Sequence, residues 1–299
     1  MLSDAMKANL VLLSEGALPA EATWQERREA YDSLSEVFPG LPEVRCEEID
    51  LGGVPGLRYI PPGADESRAI FYMHGGGYCI GSQKSHAMIV THLAVEAGCP
   101  VLFPLYRLSP EHPFPVPAED CIQAWKAALE QGLDPARTGF AGDSTGGGLV
   151  FVVSQAARDR GLALPACVVA ISPWTDMEGT GTWRSGDPER DAFLTPGELD
   201  MFVEGYLGPD GNRRDVLAAP IHGSFHGLPP FLIQASRTEL LYDDAVSLAA
   251  ALEEAGNAPV LELAGEGTPH VWHHMVPDVP ESVASIKSAG AFLTRFTKI

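Results

Sequence analysis

The chain has 299 residues, 45% of them hydrophobic, and a formal net charge of −20 at pH 7, so it combines a large potential core with an acidic surface. Nucleic acid and anionic membranes would repel such a surface, so we expect neither as a partner, and we expect no stable membrane association. A small neutral molecule is the favoured partner, and a homodimer is an assembly that the sequence allows.

The five cysteines are odd in number, scattered along the chain and without a CxxC pair. This usage is typical of reduced thiols rather than of a disulfide framework or a zinc site. The first residues lack a basic stretch followed by a signal-type apolar run, and no run reaches the roughly 18 apolar residues of a membrane span. We therefore expect a cytoplasmic protein.

The order of the expected elements indicates an α/β fold. Residues 1–42 are helical in pattern, and an antiparallel pair of strands follows at 44–49 and 57–60. Strands and helices then alternate, which predicts right-handed crossovers and a mostly parallel eight-stranded sheet with helices on both faces. The remaining strands are expected at 69–73, 101–103, 138–141, 167–171, 231–235 and 260–263, with helices at 86–97, 121–130, 145–160, 244–254 and 283–294.

The alternation is interrupted over residues 176–215, which we expect to leave the sheet. One helix is predicted inside this segment, because Thr195-Pro196-Gly197-Glu198 is a capping box with proline at the first helical position.

A sharp turn between a strand and a helix is predicted at Gly142-Asp143-Ser144-Thr145-Gly146. In such a nucleophile elbow the residues two before and two after the serine must lack side chains, and the serine hydroxyl is lifted off the sheet. A glycine-rich turn without a catalytic role is the alternative. Whether this motif indicates catalysis therefore depends on the other residues predicted to lie near Ser144.

The chain also contains an acid and a histidine that could activate the serine. Ser144, Glu239 and His270 each follow a predicted strand, and residues at the carboxyl ends of parallel strands converge at one edge of a sheet. We assign Ser144 as nucleophile, His270 as its base and Glu239 as the acid that orients the imidazole. His273 and His274 are alternative bases.

Two other acids could in principle orient the histidine, and both lie at the start of the helix predicted at residues 244–254. Asp243 and Asp244 directly precede its apolar positions, where a short acid normally caps the first turn. We therefore predict that they cap this helix and that Glu239 serves the histidine.

An oxyanion formed by attack on a carbonyl needs preorganised N–H donors. Gly76 and Gly77, after the strand at 69–73, and Thr145, at the start of the next helix, are the expected donors. We expect His74 to hold this glycine loop in place rather than to transfer protons. The surrounding residues Tyr106, Arg107 and Glu111 are expected to brace the same loop.

Together these motifs resemble the hormone-sensitive-lipase-like carboxylesterases, bacterial family IV. The resemblance covers residues 68–275 and is carried by the stretches His74-Gly75-Gly76-Gly77, Tyr106-Arg107-Leu108-Ser109-Pro110-Glu111, Gly142-Asp143-Ser144-Thr145-Gly146-Gly147 and Pro269-His270-Val271-Trp272.

The resemblance implies an α/β hydrolase that hydrolyses short- to medium-chain acyl esters through an acyl-enzyme, without a cofactor. It also implies a helical cap from residues 1–42 and 176–215 over a catalytic domain of residues 43–175 and 216–299. The sequence departs from the family at Thr145, where alanine is usual, and at Glu239-Leu240-Leu241, where Asp-Pro-Leu is usual.

Other functions remain compatible with the pattern. An amidase or deacetylase could use the same fold, and a ligand-binding receptor could too, although a receptor should lack part of the triad. His222 and His226 flank Gly223, but with no nearby cysteine or third spaced ligand we expect no metal site.

Overall fold

The computed structural model describes residues 2–15, 18–19, 21–181, 183 and 191–298. The strands are β1 (Arg45–Leu51), β2 (Val54–Ile60), β3 (Ala69–Met73), β4 (Val101–Pro104), β5 (Thr138–Asp143), β6 (Cys167–Ile171), β7 (Phe231–Ser236) and β8 (Val260–Ala264). The α-helices are α1 (Asp4–Glu15), α2 (Trp24–Val37), α3 (Ala87–Ala97), α4 (Val116–Glu130), α5 (Thr145–Asp159), α6 (Pro196–Leu207), α7 (Tyr242–Glu254) and α8 (Pro280–Thr297).

The eight strands form one sheet in the order β1-β2-β4-β3-β5-β6-β7-β8. Strand β2 is antiparallel to both of its neighbours, and the six strands from β3 to β8 are mutually parallel. The predicted α/β-hydrolase sheet is therefore confirmed. The carboxyl ends of the six parallel strands meet at one edge, which brings together the loops that carry the predicted site residues.

Strand β3 shows why the sheet is covered on both faces. All five of its residues are buried. Ile70 and Tyr72 pack into the core under α3 and α8, whereas Phe71 and Met73 pack into the core under α4, α5 and α7. Side chains alternate across a strand, so a continuous apolar run requires an apolar layer on each side. Each such large buried side chain stabilises the fold by about 1.5–3 kcal/mol.

Two helices begin three or more residues earlier than their apolar patterns predict. Helix α4 starts at Val116 and α8 at Pro280, instead of at residues 121 and 283. Both have a proline in the first turn, where the missing N–H breaks no helical hydrogen bond. The apolar pattern therefore missed the first turn of each helix, although that turn already contains buried residues such as Pro117 and Ser282.

The N-terminal residues and the 176–215 segment supply helices that pack on each other. Helix α6 begins with the predicted capping box of Thr195 and Glu198. The ring of Trp24 on α2 lies 5.8 Å from that of Phe202 on α6. A Cβ atom added to Gly77 would overlap the Phe202 ring, so α6 lies directly on the glycine loop. Within the described ranges, no helix is both long and apolar enough to cross a bilayer.

Candidate active site

Ser144 lies on the sharp turn between β5 and α5. Its backbone has φ 54° and ψ −121°, and its N–H donates to Ile171 O at 2.8 Å. A Cβ atom on Gly142 would meet the backbone of Gly146, and one on Gly146 would meet the carbonyl of Met73. The glycines are therefore required by close backbone contacts, as expected for a nucleophile elbow.

His270 and Glu239 are joined by a hydrogen bond. Nδ1 of His270 lies 3.0 Å from Oε2 of Glu239, and the other oxygen, Oε1, accepts the Ser236 N–H at 3.1 Å. Both side chains are buried. Nε2 of His270 is buried too and has no hydrogen-bond partner among the residues that the structure describes. The ring is thus held through Nδ1, which is the arrangement expected of a base oriented by an acid.

Opposing influences act on the pKa of His270. Burial lowers it, because a charged ring is costly away from water. The hydrogen bond and the charge of Glu239 favour the charged ring, and the charges of Asp191 and Asp143 add to this effect. The charges prevail and the pKa of His270 is raised, as expected of a base that must hold a proton during the reaction.

Buried polar groups hold the glycine loop after β3, residues 74–77, in place. The Tyr106 hydroxyl donates to His74 O at 2.7 Å, and the two rings stack with centroids 4.2 Å apart. Burial lowers the pKa of His74 to about 3, which keeps the ring neutral. This geometry agrees with the expected positioning role of His74.

Asp143, next to Ser144 in the chain, ties the glycine loop to the elbow. Its Oδ1 accepts the Gly75 N–H at 3.1 Å and the Tyr72 hydroxyl at 2.6 Å. Its Oδ2 lies 3.3 Å from Nε2 of His86. Burial favours the neutral acid, but His86 and the other donors outweigh burial and hold its pKa below the usual range. Sequence analysis did not single out Asp143.

Backbone strain is concentrated at this edge of the sheet. In the described part of the chain, four residues other than glycine have positive φ, namely Tyr78, Ser144, Ser172 and Val271. They follow β3, β5, β6 and β8 respectively. Such conformations cost about 1–3 kcal/mol each and persist where the surroundings enforce them, commonly at functional sites.

Ser144, His270, Gly76 and Gly77 line one cavity of about 700 Å³. The opposite wall comes from α2, from residues 191–195 and from α6, and it includes Tyr31, Leu34, Phe193 and Phe202. Thr145 is fully buried at the start of α5, and its hydroxyl has no partner among the described residues. The structure therefore brings the predicted serine, histidine and glycines to a single mostly apolar cavity.

The expected capping role of Asp243 and Asp244 is wrong. Helix α7 begins at Tyr242 with Leu241 as its N-cap residue, so both acids lie inside the first turn. Oδ2 of Asp244 accepts the N–H groups of Thr175 and Asp176 at 2.7 and 2.9 Å. This acid fastens the loop after β6, a long-range contact that sequence spacing does not reveal.

Arg107 and Glu111, which were expected to support the glycine loop after β3, have other partners. Arg107 forms a fork with Asp120 on α4, at 2.9 and 2.6 Å. Glu111 pairs with Arg28 on α2, whose Nε also donates to Cys79 O at 2.8 Å. Glu111 therefore connects α2 to the loop that continues from the glycines after β3.

The alternative bases have partners elsewhere. Nε2 of His273 lies 3.0 Å from Oε1 of Gln234, and Nε2 of His274 lies 3.2 Å from the Tyr31 hydroxyl. Burial lowers the pKa of each to about 3. Neither nitrogen hydrogen-bonds to Glu239, so the geometry favours His270.

Potential metal ligands also come together outside the cavity. Side-chain donor atoms of Asp176, Glu178 and His222 lie within 4.8 Å of one another. Glu178, however, also pairs with Arg214 at 3.0 Å. His226 is not part of this cluster. All five cysteines are free, and four of them are buried.

Comparisons with known proteins agree with this geometry. A family model described as alpha/beta hydrolase fold matches residues 70–274. An acetyl-hydrolase of Streptomyces hygroscopicus is 39% identical over 91% of this chain and 90% of its own. An ethyl acetate hydrolase of Pseudomonas putida is 34% identical over 69% and 67%. The crystal structure of an esterase from the bacterial hormone-sensitive lipase family superposes with a TM-score of 0.95 at 36% identity, covering 99% of both chains.

Proposed function

Because the chain belongs to the hormone-sensitive-lipase family of α/β hydrolases, we propose that it is a serine carboxylesterase acting on short- to medium-chain acyl esters. The observation that carries this proposal is the buried His270–Glu239 hydrogen bond, whose histidine lines the same cavity as Ser144. Neither a metal nor a cofactor is needed for this chemistry.

In the proposed mechanism, Oγ of Ser144 attacks the carbonyl carbon of the ester while Nε2 of His270 takes the hydroxyl proton. Glu239 stabilises the imidazolium and fixes the tautomer through Nδ1. The tetrahedral intermediate carries its negative charge on oxygen, for which the N–H groups of Gly76, Gly77 and Thr145 are the proposed donors. His270 then protonates the leaving alkoxide, which leaves as alcohol, and the acyl group stays on Ser144.

Water completes the cycle by the same steps. His270 takes a proton from a water molecule, which attacks the acyl-enzyme carbonyl, and the second tetrahedral intermediate releases the carboxylic acid and restores the Ser144 hydroxyl.

We propose that residues 1–42 and 176–215 form a cap and that residues 43–175 and 216–299 form the catalytic domain. Support comes from the cavity, whose walls include Tyr31 of α2 and Phe202 of α6 opposite Ser144. A cavity of about 700 Å³ lies in the range of small-molecule sites. The names of the acetyl-hydrolase and ethyl acetate hydrolase relatives favour small acyl groups such as acetyl.

We also propose a cytoplasmic location, which the five free thiols support. Light scattering would distinguish a monomer from the homodimer that the sequence allows.

The test is hydrolysis of p-nitrophenyl acetate by the wild type and by Ser144→Ala. We expect a burst of p-nitrophenolate when deacylation limits turnover, and a loss of at least ~10³-fold in Ser144→Ala. A serine-directed phosphonate should label the wild type at Ser144. Near-native turnover by the folded variant would refute the mechanism. Faster hydrolysis of p-nitroacetanilide than of the ester would favour an amidase.

A further inference from the structure

Asp191 lies between the loops that carry Glu239 and His270, yet it belongs to neither. It comes from the 176–215 segment, is buried and lines the cavity. Its Oδ2 accepts the Leu240 N–H at 3.1 Å, directly after Glu239 in the chain. Its Oδ1 accepts the N–H of His270 at 3.3 Å and that of Phe193 at 2.9 Å.

One carboxylate therefore holds three backbone segments. Hydrogen bonds to a charged acceptor are stronger than neutral ones, and a buried N–H left without a partner is costly. The loops after β7 and β8 are also joined through Thr238, whose hydroxyl donates to Thr268 O at 3.0 Å and accepts the Gly267 N–H at 3.0 Å. These contacts precede Glu239 and His270 in the chain, whereas Asp191 is an acceptor shared by Leu240 and His270 themselves and fixes the distance between the two loops at the catalytic pair. That distance determines whether Glu239 meets Nδ1 of His270.

We propose that Asp191 is a positioning residue: its carboxylate fixes the backbone at Leu240 and His270, and so ties the inserted segment to the catalytic pair. This proposal rests on the proposed function, because it assigns a role within the same site. Asp191 acts through the pair and takes no part in proton transfer.

Because Asp191 is charged, removing it should change the pKa of His270, and a purely structural role would not predict this change. The charged neighbours that favour the protonated ring of His270 are Glu239 after β7, Asp191 from the insert and Asp143 before the elbow. On the following turn, His273 and His274 stay neutral, since burial lowers the pKa of each to about 3. Removing the Asp191 charge should therefore lower the pKa of His270.

The experiment compares Asp191→Asn with the wild type, with rates expressed per active site titrated by the phosphonate. Asparagine keeps the shape but loses the charge and one acceptor oxygen. We expect kcat/KM to fall by about 10- to 100-fold, mainly through kcat, since small misplacements of catalytic groups are costly. We also expect the acidic limb of the kcat/KM profile to move to lower pH.

The matched control is Asp210→Asn, an exposed acid in the same inserted segment, and it should leave both quantities unchanged. If Asp191→Asn does not fold, Asp191→Ser is measured in its place, because serine retains one acceptor. Unchanged kcat and an unchanged acidic limb in a labelled variant would overturn the positioning role, and so would a lower Tm alone. A wild type that the phosphonate does not label at Ser144 would instead refute the proposed function.

Discussion

Nδ1 of His270 lies 3.0 Å from Oε2 of Glu239, although 30 residues separate the two in the chain and both are buried. Replacing Glu239 with glutamine keeps the shape but removes the charge that stabilises the imidazolium. We expect kcat to fall by about 10³- to 10⁴-fold with little change in Tm. Steady-state hydrolysis of p-nitrophenyl acetate measures the effect.

The matched variant is Asp244→Asn, which changes a buried acid five residues after Glu239. Asp244 holds the N–H groups of Thr175 and Asp176 instead of the histidine. We expect this variant to lose about 1–3 kcal/mol of unfolding free energy while retaining most of its kcat. An inactive Asp244→Asn beside an active Glu239→Gln would transfer the role of the acid to Asp244.

The pH dependence of activity follows from His270. The ring must be neutral to accept the Ser144 proton, and its pKa is raised above the ordinary value of 6.5 because the nearby acids outweigh burial. We therefore expect kcat/KM to fall as pH decreases through a value above 6.5. A pH–rate profile with a stable short ester tests this. An acidic limb near pH 3 would point to a buried neutral histidine such as His273.

Gly77 should tolerate no side chain. Its φ is +60°, and a Cβ atom would overlap the ring of Phe202 on α6. We expect Gly77→Ala to lower kcat/KM by about 10²-fold or more, because both the loop and α6 must move and a proposed oxyanion donor is displaced. Gly265→Ala is the control, since a Cβ atom there meets nothing within 4 Å. Equal activity of the two variants would contradict a role for this loop.

The Arg28–Glu111 pair should matter more than ordinary surface pairs. Arg28 donates to both Glu111 oxygens, at 2.9 and 2.6 Å, and to Cys79 O, two residues after Gly77. Lysine cannot reproduce this fork, so Arg28→Lys should lose about 1–3 kcal/mol of unfolding free energy and raise KM. Thermal unfolding and steady-state kinetics measure both effects.

A control for that experiment is Lys126→Ala, which breaks an exposed pair with Glu130. Exposed pairs of this kind stabilise proteins little, so we expect a Tm close to that of the wild type. A similar loss of stability in both variants would mean that the Arg28 fork has no special role.

Acyl chain length should affect the rate strongly. The cavity is bounded by α2 and α6, and the net charge of −20 gives no attraction to an anionic lipid surface. We expect p-nitrophenyl esters with about two to eight acyl carbons to be preferred, as the family resemblance implies, and long-chain triglycerides to be poor substrates. A rate that rises abruptly once the substrate forms droplets would contradict this prediction.

Local sequence was enough to predict the parts of the site that depend on backbone conformation. Gly142, Gly146 and the glycines after His74 were recognisable because tight turns and close backbone contacts exclude side chains. The capping box at Thr195 was equally local. Helix starts were predicted less accurately, since α4 and α8 each begin with a proline-containing turn that lies ahead of the apolar pattern.

The sequence by itself determined the eight-stranded α/β sheet, the elbow at Ser144 and the loops that meet at its active edge, because periodicity and glycine requirements act between residues close in the chain. Only the tertiary structure decided the partners of the charged groups. Asp244 binds the loop after β6, Glu111 pairs with α2, and Asp191 reaches His270 from 79 residues away. A carboxylate satisfies whichever donors the fold places near it, and spacing in the sequence does not encode that choice.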